Sequence, residues 1–221
     1  MRTIGLITYD KPHKKTYDLA CLLKASGATV VFLTAPFEER SERHPLVQHR
    51  PEGIKRDPSS IASAFGWGIA KYGEVKCDIL LIGGCNITPG LRALNSHPGY
   101  LPYIRGLDAL KWAIWHEVPV GVSVHWTTDK PDAGRIVSRK IVPLYFEDTF
   151  HSFALRAYNI EIEELVKAAL SDETTELTED DSAEMRYLRN TVHKRMAPWQ
   201  EVIMLEKFNG IRSKAKSIYS K

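Results

Sequence analysis

The chain has 221 residues, 43% of them hydrophobic and 26% charged, with a formal net charge of +3. That length can bury a sizeable core in one domain with a modest extension, and the composition is that of a globular chain. A charge of +3 is too small to argue for nucleic acid or a membrane surface as partner. No apolar run reaches the ~18 residues of a membrane span, and Met1-Arg2-Thr3 leads into a strand without the apolar stretch of a signal peptide, so a cytoplasmic location is expected. Cys21, Cys77 and Cys85 form no Cys-x-x-Cys pair, which argues against a disulfide framework and a structural zinc. Cys21 and Cys77 read as buried small apolar residues, and Cys85, in a Gly-rich loop, as a pocket residue.

Residues 3–9 are a short apolar run of the kind that fits a strand buried on both faces of a parallel sheet. Residues 16–25 carry apolar side chains at helical spacing and stop at Gly27, and residues 29–34 form the next strand. This β-α-β opening predicts an α/β fold: a Rossmann-like, mostly parallel sheet with helices on both faces. The loop after the first strand reads Tyr9-Asp10-Lys11-Pro12-His13-Lys14-Lys15 instead of the Gly-x-Gly-x-x-Gly of a dinucleotide fold. Its lysines are candidates for phosphate groups, although a solvated charged loop would look the same.

Residues 36–58, rich in charge, His and Pro, read as a long surface loop able to cover a substrate. His44 and His49 on it are weak evidence for a metal. Ser59-Ser60 predicts a helix cap, with the helix running to about residue 71. Residues 77–82 are a buried strand followed by Gly83-Gly84-Cys85-Asn86-Ile87-Thr88-Pro89-Gly90, where glycines allow close backbone approach by a ligand.

Residues 106–116 predict a helix with Leu107, Leu110, Ala113 and Ile114 as its buried stripe, which makes Trp112 and Trp115 packing residues. Residues 118–126 and 135–142 read as strands bracketing a polar loop, and Asp148-Thr149 starts a helix through about residue 170. Residues 1–170 form the expected main domain. Residues 171–221, acidic and then basic, form a short extension whose Ile203, Leu205 and Phe208 dock back before a frayed end.

The chemistry concentrates in residues 94–134. On an extended segment residues i and i+2 share a side, so Asn95 and His97 can meet at one point. An amide can stabilise an oxyanion, an imidazole can move protons near neutral pH, and the carboxylate of Asp132 can orient that imidazole and keep it charged. Such a set suits acyl transfer to an amine and contains no nucleophile of its own. A structural turn would also use Asn-x-His.

What favours catalysis is the company these residues keep: Asn95-Ser96-His97-Pro98, Leu101-Pro102, Arg105-Gly106, and His125 followed seven residues on by Asp132-Ala133-Gly134. In order and spacing these elements resemble the formyltetrahydrofolate-dependent formyltransferases. The resemblance implies transfer of a formyl group from 10-formyltetrahydrofolate, as cosubstrate, to a primary amine without a metal. It implies catalytic roles for Asn95, protonated His97 and Asp132, and a pterin site formed by Gly84, Cys85, Asn86, Ile87, Thr88, Thr128 and Asp129. The glycinamide ribonucleotide enzymes' Gly-Ser-Asn loop is missing, and residues 171–221 look too short and too mixed in charge for a tRNA-binding domain. The pattern Leu101-Pro102 through Trp112-Ala113-Ile114 is similar to that of sugar N-formyltransferases, which act on nucleotide-linked amino-deoxy sugars. Tyr9, Lys11, Lys14, Lys15, Tyr103 and Arg105 are then the candidates to hold such a nucleotide sugar. The partners expected are these small molecules, with no nucleic acid or membrane and with a homodimer left open. Glycinamide ribonucleotide or another small amine remains an alternative acceptor. A formyltetrahydrofolate hydrolase and a non-catalytic folate-binding module are the alternatives of another class.

Overall fold

The computed structural model describes residues 2–36, 46–85, 90–171, 188 and 190–218. In chain order its elements are β1 (Thr3–Tyr9), α1 (Lys14–Ala25), β2 (Thr29–Ala35), α2 (Pro58–Phe65), β3 (Gly68–Lys71), β4 (Ile79–Ile82) and β5 (Leu94–His97). These are followed by β6 (Arg105–Gly106), α3 (Ala109–Trp115), β7 (Gly121–Trp126), β8 (Ile136–Ile141), α4 (Phe150–Leu170), β9 (Val192–His193) and α5 (Pro198–Arg212). One sheet of seven strands runs β3-β2-β1-β4-β5-β7-β8, and β6 pairs with β9 in a second, two-stranded sheet.

The expected mostly parallel sheet is present: β1 pairs in parallel with β2 and β4, β2 with β3, and β4 with β5. The last two pairings, β5 with β7 and β7 with β8, are antiparallel. Strand alternation divides β1 between two packing layers. Ile4 and Leu6 pack with Leu19 and Leu23 of α1, Ile61 of α2, and Ile162 and Leu165 of α4. Ile7 packs on the other side with Leu33, Leu91 and Ala93, residues of strands and of the segment entering β5. Long α4 is set by a capping box in which Thr149 accepts from the Ser152 N–H, a cap worth ~1 kcal/mol.

Three expectations about the elements need correction. The helix expected to continue to residue 71 ends at Phe65, because Gly66 adopts φ +68° and Trp67 turns back onto Phe32 and Phe65. Residues 68–71 become strand β3 instead. The helix expected from residue 106 starts at Ala109, because Arg105 and Gly106 pair with β9 and Leu107 is left exposed. The C-terminal segment docks through Met204 and Phe208, both buried with Phe153 and Val122, whereas Ile203 is exposed.

Of the expected surface loop, residues 37–45 lie outside the described residues, His44 among them. Its described end is pinned: the backbone N–H groups of Leu46 and Val47 donate to Glu201 of α5, and Arg50 is ion-paired with Glu161 of α4. His49 is half-buried, and its partial burial pushes its imidazole down to about 3.

Candidate active site

β7 lies antiparallel beside β5, so Asn95 stands directly opposite His125 and His97 opposite Ser123. Asn95 Nδ2 is 3.4 Å from His125 Nε2. The loop between β7 and β8 then brings Asp132 between the two imidazoles. Asp132 Oδ2 lies 3.6 Å from His97 Nδ1, and Oδ1 lies 3.5 Å from His125 Nε2.

Two glycines make this placement possible. The ideal Cβ of Gly134 would fall 1.6 Å from the Trp126 carbonyl oxygen, so only glycine lets the loop return this closely to β7. Gly106, at φ +93°, donates its N–H to Asp132 Oδ2 at 2.9 Å, and its missing side chain leaves room for the His193 backbone of β9. Asp132 itself has φ +48°, a conformation that aspartate tolerates better than most residues.

Hydrogen bonds to carbonyls decide which imidazole nitrogens carry protons, since a carbonyl only accepts. His97 Nε2–H donates to Ile104 O at 2.9 Å, and His125 Nδ1–H donates to Trp126 O at 3.0 Å. When neutral, each ring therefore turns its lone pair toward Asp132. Asn95 Nδ2–H can satisfy the lone pair of His125 with one hydrogen and direct the other into the cleft.

Burial pushes His97 below its ordinary 6.5 against the opposing pull of Asp132. Burial thus works against the expected protonated His97, and Asp132 works for it. Burial alone would raise the Asp132 carboxyl, but His97, His125 and the Gly106 N–H together hold it well below the usual carboxylate range. The site at rest is thus one carboxylate facing two imidazoles, a place prepared to receive one proton.

A cavity of about 130 Å³ opens on this constellation, lined by Asn95, His125 and Asp132 with Ile82, Cys85, Leu91, Thr127, Thr128, Lys130 and Pro131. Burial raises the Cys85 thiol, which makes it a wall and not a nucleophile. A second cavity of about 310 Å³ adjoins it and includes Asp129, whose carboxylate accepts the Gly90 N–H at 2.8 Å. Among the described residues no group of three or more metal-ligating side chains converges.

The structure brings Asn95, His97 and Asp132 together, and places Cys85 and Thr128 on the first cavity and Asp129 on the second. Gly84 is buried under Tyr9 and His13, a layer below that wall. Asn86, Ile87 and Thr88 lie outside the described residues.

The set proposed for a nucleotide sugar is dispersed. Lys11 is exposed, Lys14 is ion-paired with Asp18, Tyr9 packs edge-on to His13, and Arg105 sits on β6. Tyr103 and Lys15 must be corrected. Tyr103 is buried and stacked on Tyr100, so it packs the interior. Lys15, with its side chain 12% exposed, turns behind β5 to Glu161 and the Ser96 carbonyl instead of standing in a solvated loop. Cys21 and Cys77, expected to be buried, are half-buried.

His125 is a lining residue that the sequence reading left without a role, although its position one strand over from Asn-x-His was the available signal. Glu161 was also missed. It shares the buried face of α4 with Ala154, Ala157, Tyr158 and Leu165, and a charge in an apolar stripe was the clue.

Residues 80–169 match the model of the formyl transferase family. The chain is 32% identical over 128 residues to a methionyl-tRNA formyltransferase of Herpetosiphon aurantiacus, covering 55% of this chain and 40% of the relative. It is 32% identical over 73 residues to a phosphoribosylglycinamide formyltransferase of Bacillus subtilis (33% and 37%), and 34% identical over 77 residues to a dTDP-4-amino-4,6-dideoxyglucose formyltransferase of Mycobacterium bovis (35% and 33%). The chain thus spans less than half the length of these curated relatives. In fold it is similar to a sugar N-formyltransferase from Shewanella sp FDAARGOS_354, with a TM-score of 0.53 at 16% identity, over 99% of this chain and 90% of that one. The matched segment contains Asn95, His97, His125 and Asp132, and over it the chain is similar to formyl transferases.

Proposed function

We propose that this protein transfers a formyl group from 10-formyltetrahydrofolate to a primary amine. The observation that carries the reading is the convergence of Asn95, His97, His125 and Asp132 on one another, at a cavity lined by Asn95, His125 and Asp132. The amine nitrogen attacks the formyl carbon, and the free N–H of Asn95 stabilises the oxyanion. The amine's proton passes to an imidazole lone pair facing Asp132, and the carboxylate stabilises the resulting imidazolium. The same proton is then delivered to N10 of the folate as it leaves. The side chains of Cys85, Thr128 and Leu91 fit a wall for the pterin, and Asp129 lies at its margin. No step calls for a metal.

For the acceptor, the reading is a nucleotide-linked amino-deoxy sugar. Its support is the loop after β1, which carries Lys11 and Lys14 where glycinamide ribonucleotide enzymes have Gly-Ser-Asn, together with the similarity to a dTDP-amino-sugar enzyme over 77 residues. The test is turnover of 10-formyltetrahydrofolate with a panel of amines, following the formylated product by mass. Formylation of an amino-sugar nucleotide is expected. Higher kcat/KM with glycinamide ribonucleotide overturns the sugar assignment, formate release without an amine makes the protein a hydrolase, and folate binding without turnover makes it a binding module.

A further inference from the structure

The mechanism leaves two buried ion pairs unused. Lys111 of α3 and Glu201 of α5, both side chains 0% exposed, meet at 2.6 Å. The second carboxylate oxygen of Glu201 accepts the backbone N–H of Leu46 at 2.5 Å and of Val47 at 3.2 Å. Three residues further on, Arg50 donates to Glu161. Glu161 also accepts from Lys15 Nζ at 2.8 Å and from Ser96 Oγ at 3.3 Å, and Lys15 Nζ donates to the Ser96 carbonyl at 3.2 Å. Ser96 is the residue between Asn95 and His97.

We propose that Glu201 is a positioning residue of the active site: by holding the backbone at residues 46–47 it seats Arg50 on Glu161 and thereby fixes the peptide that carries Asn95 and His97. The inference rests on the catalytic reading of those two residues.

Burying an ion pair costs several kcal/mol per ion, and an apolar pair of equal volume would serve stability as well. What Glu201 supplies beyond an apolar side chain is a pair of directed acceptors for peptide N–H groups. Three residues of chain reach only about 10 Å, so an anchor at Val47 limits where the Arg50 guanidinium can go. Without Arg50, Lys15 is the sole cation bonded to Glu161 among the described residues and is drawn toward it, away from the Ser96 carbonyl.

The test compares Lys111→Met/Glu201→Leu with Lys111→Met/Glu201→Gln in the full chain. The first removes the acceptor while replacing the pair by apolar groups, and the second keeps an amide carbonyl for Leu46 and Val47. Hydrogen exchange read by mass spectrometry should accelerate in peptides covering residues 46–50 and 94–97 of the leucine variant and stay parental in the glutamine variant. In kinetics the leucine variant should lose kcat by about tenfold to a hundredfold, the scale of a small misplacement, with KM for 10-formyltetrahydrofolate unchanged.

Arg50→Met should cause the same loss of kcat and the same exchange at 94–97 while leaving 46–47 protected, and it decides the matter if the leucine variant does not fold. Combining it with the leucine variant should add less than about twofold, since both act through one contact. Loosening at 46–50 without any change at 94–97, or kinetic losses that multiply in full, overturns the proposal. If the parent protein formylates nothing, the proposed function falls, while the exchange measurements still decide whether Glu201 holds the strand.

Discussion

The two sides of strand β5 treat charge in opposite ways. On the cleft side, Asp132 meets two imidazoles and Asn95 meets His125 at contacts of 3.4–3.6 Å. Behind the strand Lys15 meets Glu161 at 2.8 Å, and between α3 and α5 Lys111 meets Glu201 at 2.6 Å, with both carboxylates fully engaged. The cleft side is arranged to gain and lose a proton, and the rear is arranged not to move. Loose polar contacts need a rigid base, since an unsatisfied donor contributes to catalysis only if it stays where the charge develops.

The strongest test of the cleft side is Asp132→Asn, which removes the charge that stabilises an imidazolium. It should lower kcat by about 10²–10⁴-fold without unfolding the chain. Steady-state kinetics with circular dichroism as a fold check would measure this, and a variant retaining a tenth of parental kcat would remove Asp132 from proton transfer. Asn95→Ala should come next, at about 10²–10³-fold in kcat, as one oxyanion donor is lost. A rise in KM alone would make Asn95 a binding residue.

On the rear side the expected loss is in stability. Glu161→Gln leaves Lys15 and Arg50 uncompensated beside a buried amide and should cost about 3–5 kcal/mol in denaturant unfolding. By contrast Lys14→Ala, which breaks a partly exposed i,i+4 pair with Asp18, should cost at most about 0.5 kcal/mol. Equal losses for the two variants would erase the contrast between a buried network and a solvated one.

A separate effect, spread over several pH units, is a gradual one with pH. Burial holds His13 and His193 down to about 4 and His49 down to about 3, against 6.5 in an unfolded chain. Below pH 6.5 the unfolded state therefore binds protons that the folded state does not. The stability from these neutral histidines is complete above about pH 6.5 and is lost as pH falls toward 3–4. Glu161, pushed down to about 2 from 4.5 by its cationic partners against the effect of burial, adds a further loss between those values. Thermal midpoints recorded from pH 7 to 3 should decline across this window, and a flat profile down to pH 4 would contradict the burial of these rings.

Local pattern made much of this legible in the sequence. β1 and the long α4 were readable because strand and helix periodicity, and the Thr149 cap, act within a few residues. The Asn95, His97 and Asp132 set was readable for a related reason: two of its members share one strand side, and the third follows His125 at a short, Gly-ended spacing. Gly66 and Gly106 were visible as residues, but whether each would end a helix or admit a neighbouring strand depended on Trp67 and on His193.

What the sequence by itself determined is therefore the candidate set of Asn95, His97 and Asp132, the order of most elements and the mostly parallel sheet, all of which follow from near-neighbour backbone geometry. Only the tertiary structure decided that β7 runs antiparallel and sets His125 opposite Asn95, that burial lowers the pKa of His97, and that Lys15 serves Glu161 across 146 residues of chain instead of a ligand. The physical reason is that burial and pairing belong to the assembled core. A lysine side chain has the same local preferences whether it ends in solvent or beneath a strand, and the desolvation that settles its charge exists only once the strand is in place.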